Sequence, residues 1–361
     1  MRSRALIIGI NEYPALASQR VLNGAVADAI DFAQWALDPD GGDVASDDLY
    51  FWGFPQPAAM PDGLDYLLGN DRPWLGPRPN FNTTPDARSI IVAVEAAADA
   101  AADASSNGED DERLYVFFAG HGATTQKHGH TRDPQNCLLA ADYLPGKGFG
   151  LVPLDDLRRM LELRGPAKHY LSMTAAAGEL PLSVPDPGLN VPEYADMQLN
   201  MTWLVCRVAR FGELAYETPP DKPERGAFTK MLVQALRQYR INDQLTLDEL
   251  RGFVRQGVAE LVRPKIQVPV FVPKDDAEPF VLVTGPPTGA PPEIMVHVPP
   301  GMGGQIKVLD HTDRSVVAPI PIVNNEASVT LPPGLYTIEH EPSGNDKAIF
   351  HFGPETTHVR F

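Results

Sequence analysis

Apolar positions in the first 280 residues follow two alternating patterns. Short continuous apolar runs bounded by turn residues read as buried strands: ALIIGI at 5–10, RLYVFFAGHG at 113–122, CLLAADY at 137–143, KHYLSMTAAAG at 168–178 and MTWLVCRVAR at 201–210. Between them, apolar residues recur at helical spacing. Ala25, Ala29, Phe32, Ala33 and Leu37 mark a helix within 23–37, and SIIVAVEAAADAAADA, LDDLRRMLEL, GAFTKMLVQALRQY and LTLDELRGFVRQGVAELV mark four more. Thr84-Pro85-Asp86 is a helix start, with a capping residue, proline at the first helical position and an acid in the first turn. Residues 38–83, rich in Pro, Gly, Asp and Asn, read as a long surface insertion with DLYFW as a short strand. Apolar strands alternating with helices predict an α/β fold, a mostly parallel sheet flanked by helices.

Near residue 285 the helical period stops. TGPPTGAPPE is a linker, and IMVHV, QIKVLD, EASVTL, LYTIEH, AIFHF and HVRF are short strands with turn punctuation. The chain is thus expected to hold two domains, 1–285 and 286–361, the second a small antiparallel β-sandwich. No cluster of titratable residues stands out in this second segment, and no chemistry is assigned to it.

The formal net charge of −17 excludes nucleic-acid binding through a general basic surface. No apolar stretch approaches the roughly 20 residues of a membrane span. The apolar start of MRSRALIIGINEYP is too short for a signal peptide, so a cytoplasmic protein is expected. Cys137 and Cys206 sit inside apolar runs, form neither a disulfide framework nor a metal-ligand spacing, and read as buried thiols.

Two features carry candidate chemistry. His121, between Gly120 and Gly122, ends an apolar strand, where parallel α/β sheets place ligands and catalytic groups. The strand KHYLSMT runs into Ala175, Ala176, Ala177 and Gly178, tiny residues that suit a nucleophile turn.

Taken together, RALIIGINEYP with LNGAVADA, RLYVFFAGHG, CLLAADYLPGKGFGLVPLDDL, HYLSMTAAAG, RVARFGELAYE with RGAFTKMLVQAL, and LTLDELRGFVRQGVAELV with QVPVF resemble, in order, the caspase-like cysteine peptidases, the group of caspases, metacaspases and their bacterial relatives. The resemblance covers about residues 1–285. It implies a cysteine endopeptidase acting on protein or peptide substrates. His121 would assist a thiolate, and the backbone N–H groups of Gly122 and of the nucleophile residue would hold the oxyanion. Ala175 follows His121 by 54 residues (175 − 121), close to the family's spacing of histidine and nucleophile. The nucleophile aligns to Ala175 by the Asp-x-Cys-x-Ser-Gly pattern and to Ala176 by Gln-Ala-Cys-x-Gly. Both are alanine, so the thiol is replaced in an otherwise active peptidase, or the chain is a natural pseudoenzyme that binds or scaffolds.

The resemblance also nominates substrate-pocket positions: Met173 and Thr174 before the nucleophile, Asp142 after the middle strand, and Arg20 near the family's pocket arginine. Met173 departs from the metacaspase Asp, and a basic or small neutral residue before the cut is expected. Self-cleavage is expected in GATTQKHGHTRDPQ or ETPPDKPERG, at Lys127, Arg132, Lys222 or Arg225. An activating protease or regulatory protein is the further partner implied, with no nucleic acid and no membrane. No cofactor or metal is expected. Calcium dependence, known among metacaspases, has no motif here, because DPDGGDVASDD lacks the EF-hand spacing.

Overall fold

The computed structural model describes residues 2–16, 22–68, 84–106, 112–125, 135–164, 169–181, 202–209, 215–217, 225–240, 243–273, 281–287, 293–310, 315–331, 333–341, 343–351 and 357–361. In chain order the elements are β1 (Arg2–Ile10), α1 (Ala25–Leu37), β2 (Leu49–Phe54), α2 (Ala87–Ser106), β3 (Glu112–Thr125), β4 (Gln135–Leu144), β5 (Phe149–Pro153), α3 (Leu154–Arg164), β6 (His169–Pro181), β7 (Thr202–Arg207), α4 (Ala227–Gln238), β8 (Gln244–Thr246), α5 (Leu247–Val262), β9 (Val270–Pro273), β10 (Val281–Thr284), β11 (Glu293–His297), β12 (Gln305–Asp310), β13 (Ile320–Pro321), β14 (Glu326–Thr330), β15 (Gly334–Glu341), β16 (Asn345–His351) and β17 (Thr357–Arg360). They fall into two compact units, Met1–Lys230 with Leu261–Glu278, and Met231–Glu260 with Pro279–Phe361.

The first unit is built on an eight-stranded sheet whose main path runs β2-β1-β3-β6-β7-β9. The first five of these are parallel, and β9 runs antiparallel to β7. Every β1 residue from Ser3 to Ile10 is buried, so both faces are covered, which is why this strand reads as an unbroken apolar run. At its start Arg2 grips Asp48 with two donors, Nε at 3.0 Å and Nη2 at 2.9 Å. α1 covers the face that carries Tyr115 and Phe117. Phe32 stacks on Phe117 with centroids 4.4 Å apart, and Trp35 meets Tyr115 edge-on at 5.4 Å. Each such pair adds about 0.5–1.5 kcal/mol beyond its buried area.

Three local readings change. α2 begins at Ala87, and Asp86 rather than Thr84 caps it, accepting a hydrogen bond from the Ser89 N–H at 2.9 Å. β4 leaves β3 as an antiparallel hairpin and pairs onward with β5. Finally, β3 does not stop at Gly120-His121-Gly122, nor β6 at its small residues. Each continues because main-chain pairing supplies what the glycines and alanines lack in propensity.

The second unit contains the β8–β10 pair, a three-stranded sheet β14-β11-β17 and a four-stranded sheet β13-β12-β15-β16. Ile294, Val296, Ile306, Val308, Ile338 and Val359 form its buried centre. The pairing is antiparallel except for β11–β17, which is parallel. β17 arrives from β16 in the other sheet, so no hairpin dictates its direction. Strand pairing also assembles a titratable group that sequence order conceals: His297, Glu326 and His358 meet across β14, β11 and β17.

Gly9 marks a close approach of β1 and α1. A Cβ there would lie 2.7 Å from the Ala25 carbonyl oxygen and 2.8 Å from Val26 Cα. Gly9→Ala is therefore expected to cost about 1–3 kcal/mol by overpacking, read as a lower urea midpoint of the first unit. An unchanged midpoint would mean that α1 can retreat freely.

Candidate active site

β3 and β6 lie side by side and in parallel, and both candidate features sit toward their C-terminal ends. Across the pair, Phe118 faces Thr174, Ala119 faces Ala175 and Gly120 faces Ala176. After a bulge, Gly122 faces Glu179. One residue of β3, His121, is thus matched by two of β6, Ala177 and Gly178. Residues 119 and 121 belong to one face of β3, so the backbone row of position 175, not that of 176, falls on the His121 face. Met173 lies in the row of Phe117 and Cys206, and Thr174 in that of Phe118 and Arg207.

His121 is 7% exposed and is held from β1's end by Tyr13. The His121 backbone N–H donates to Tyr13 Oη at 2.6 Å, and the two rings sit 4.8 Å apart at 46°. Burial pushes the Tyr13 phenol above its ordinary pKa, while the bond from His121 pulls it back, so the hydroxyl stays protonated. This contact explains Gly120: a Cβ there would come 2.4 Å from Tyr13 Oη. Sequence reasoning passed over Tyr13; its position in Asn-Glu-Tyr-Pro, directly after the first buried strand, is the signal that could have found it.

A second residue was also missed. Asp28, in the first turn of α1, is 3% exposed. Its carboxylate accepts the Gly226 N–H at 3.0 and 3.1 Å. Burial raises its pKa well above the ordinary carboxylate value. The Gly226 N–H, which donates to it, and the nearby Thr229 hydroxyl oppose the rise; Asp31 adds to it and Arg225 subtracts. Nearby, Glu217 accepts the Gly24 N–H at 2.7 Å and the Asn23 N–H at 3.2 Å, while Asn11 Oδ1 accepts the Val26 N–H at 2.9 Å. These acceptors satisfy three N–H groups at the start of α1, and Glu217 also places negative charge at the helix's positive end.

Asp28, Glu217, Leu22, Val208, Tyr216 and Gln267 are among the residues lining a small, solvent-open pocket. Its walls follow the C-terminal ends of β1 and β7, the strands that flank the β3–β6 pair. A crevice outside the carboxyl ends of parallel strands is where α/β folds bind ligands. Gln267 braces it, accepting the Tyr216 N–H at 3.0 Å and donating to the Val208 carbonyl at 3.0 Å.

The remaining sequence candidates scatter. Asp142 stands at the start of α2, where it accepts the Ala87 N–H at 3.0 Å, and its half-burial raises its pKa first of all. Arg225 pairs with Asp31, Nε to Oδ2 at 2.6 Å, and the N–H of the peptide bond that follows it is bound by Asp28. Arg20, Lys127, Arg132 and Lys222 lie outside the described residues. Cys137 and Cys206 are 2% and 0% exposed, in β4 and β7. Among the described residues no helix is long and apolar enough to cross a membrane.

No curated protein matches the chain. Among solved structures, a Geobacter sulfurreducens protein is similar at 14% identity and a TM-score of 0.45, covering 80% of this chain and 98% of that one. Caspase-1 from Spodoptera frugiperda is similar at 15% identity and a TM-score of 0.43, covering 79% and 92%. The family model of the caspase domain matches residues 2–280, a span that contains His121, the alanine rows of β6 and the whole pocket wall. The chain therefore belongs to the caspase domain family of cysteine peptidases.

Proposed function

We propose that this chain is a caspase-fold pseudopeptidase, a protein that binds peptides in the pocket lined by Asp28, Glu217 and Gln267 and does not cleave them. The observation that carries this reading is the chemistry at the end of β6. Residues 173–178 are Met-Thr-Ala-Ala-Ala-Gly, and the chain's two thiols are buried elsewhere. A walled-in thiol among apolar neighbours is inert. Against Asp-x-Cys-x-Ser-Gly the departures are three, at Met173, Ala175 and Ala177, where a single replaced nucleophile would account for one.

The second reading is a peptidase lacking only its thiol, and one observation favours it: His121 remains braced by Tyr13, with the row of Ala175 on its face. A cysteine there would give its proton to His121 and attack the scissile carbonyl. The N–H groups of Gly122 and residue 175 would then hold the oxyanion. In either reading Asp28 is the recognition group of the pocket. Burial desolvates this carboxylate and the nearby Arg225 offsets the loss only in part, so a cationic side chain of a bound peptide would add a second charge partner.

The unaltered chain is expected to bind peptides with Lys or Arg, measured by fluorescence anisotropy, and to leave them intact by mass spectrometry. Turnover by the unaltered chain that disappears in His121→Ala would overturn the pseudopeptidase reading. Ala175→Cys tests the alternative. If only the nucleophile is missing, Ala175→Cys cleaves peptides on the order of a hundredfold faster than Ala175→Cys/His121→Ala. If the wider motif has decayed, the two rates coincide.

Asp28 gives a pH-dependent prediction. A raised folded pKa means that the folded state keeps its proton to higher pH than the unfolded chain, whose value is near 3.8. This stabilisation is complete below the unfolded value and is lost as pH rises toward the folded one. Asp28→Asn removes the ionisation. Its thermal midpoint is expected to match the parent near pH 3 and to exceed it increasingly toward neutral pH. The same change is expected to weaken binding of cationic peptides about tenfold or more, since a bond to a charged group is lost. Unchanged peptide affinity would remove Asp28 from the recognition site.

A further inference from the structure

In the second unit the strands β11, β14 and β17 turn Ile294, Val296, Ala327, Val329 and Val359 into the sandwich core. The alternate, outward positions carry His297, Glu326 and His358. His297 Nε2 lies 2.9 Å from His358 Nδ1, and His297 Nδ1 lies 3.1 Å from Glu326 Oε1. An ionised carboxylate only accepts, so His297 holds its proton on Nδ1 and presents a lone pair at Nε2. The rings are within 15° of parallel, and their 5.2 Å centroid separation is what two imidazoles meeting nitrogen to nitrogen require. As they stand, the two rings share one proton.

We propose that this pair binds a late first-row divalent cation, Cu²⁺ most tightly, through His297 Nε2 and His358 Nδ1, with Glu326 fixing the tautomer of His297. Imidazole is the ligand type these ions take, and affinity for a given site peaks at Cu²⁺. With metal–nitrogen bonds of about 2.0–2.1 Å, two nitrogens at right angles about the metal are about 2.9 Å apart, the spacing already present. A carboxylate on the far nitrogen is the arrangement that orients metal-bound histidines and raises their basicity. Among the described residues no group of three His, Cys, Asp or Glu side chains is placed to hold a metal ion together, and Glu326 faces the nitrogen of His297 that is turned away from His358. The protein therefore supplies two ligands and water the others.

Binding changes orientation more than distance. The shared proton lies on the line between the nitrogens, whereas a cation bonded to both lies about 1.5 Å off it. His358, exposed on β17, is the ring able to turn. It moves its proton from Nδ1 to Nε2, both facing nitrogens then offer lone pairs, and the neutral pair neither gains nor loses a proton. Arg360, in register with His297, adds positive charge beside the pair; Glu326 and Glu293 on the neighbouring outward positions offset it.

The test is calorimetric titration of the full chain with Cu²⁺, with Ni²⁺ and Zn²⁺ in parallel, and nitrogen hyperfine structure in the Cu²⁺ resonance spectrum. The chain has nine histidines, among them His128 and His130, so the reference protein carries His128→Ala and His130→Ala. The reference is expected to bind one Cu²⁺ with two coordinated imidazole nitrogens. His297→Ala or His358→Ala should each weaken binding at least tenfold. Glu326→Gln should weaken it about tenfold while leaving the nitrogen count at two. Circular dichroism of each variant checks folding, and His358→Gln serves as a second, less disruptive change. The proposal falls if His297→Ala/His358→Ala binds as the reference does, or if the reference binds no Cu²⁺ below about 100 μM.

Discussion

The main-chain ladder of β3 is the constraint on which the first unit depends. β3 pairs with β1 on one side and β6 on the other, and its final residues also pair with β4. It therefore sits at the middle of the sheet and yet carries the site at its C-terminal end. The segment Ala119-Gly120-His121-Gly122 has poor strand propensity, but its backbone groups must be paired wherever they are buried. The bulge between β3 and β6 is how the ladder passes the site without breaking: one extra residue on β6 absorbs the mismatch beside His121. Tyr13 then locks the same point from β1, and Gly120 leaves room for it.

Much of this arrangement was legible in the residues. Continuous apolar runs identified β1, β3 and β7 because strands covered on both faces leave no polar side to write, and β6 was found from its own run of apolar and small residues. The helices followed from their period. What could not be read was decided by pairing between distant segments. The antiparallel course of β4 and the parallel placement of β17 depend on connections, which apolar pattern does not encode. The site was half legible. His121 and the alanine rows of β6 announce themselves through flanking glycines and small residues. Asp28 does not, because an acid in the first turn of a helix is ordinary there. Only the closure of Gly226 and Thr229 over it makes it a buried carboxylate. Asp142 shows the converse: an acid after an apolar strand suggests a pocket, but this one is used on the first open N–H of α2.

The two units also place polar groups by different means. In the first, the buried acid is tied to one backbone N–H, that of Gly226, and lines a pocket. In the second, the core is apolar and the polar chemistry lies on the outer face of a sheet, where alternation alone brings His297, Glu326 and His358 together. A buried carboxylate held by a single N–H costs desolvation that this bond offsets only in part. Proteins tolerate such a cost mostly where a ligand or a reaction makes use of it.

The bonds that close the pocket join residues far apart in the chain. Glu217 reaches Gly24 over 193 residues, Arg225 reaches Asp31 over 194, and Gly226 reaches Asp28 over 198. Contacts of such separation repay loop-closure entropy only after the sheet between them has formed. The pocket is thus expected to close late in folding, from groups with no local reason to meet. By the same reasoning it is expected to open without unfolding the central sheet. A peptide that binds there adds its contacts to the last-formed part of the first unit, so occupancy and the slow closing of the chain become one coupled equilibrium.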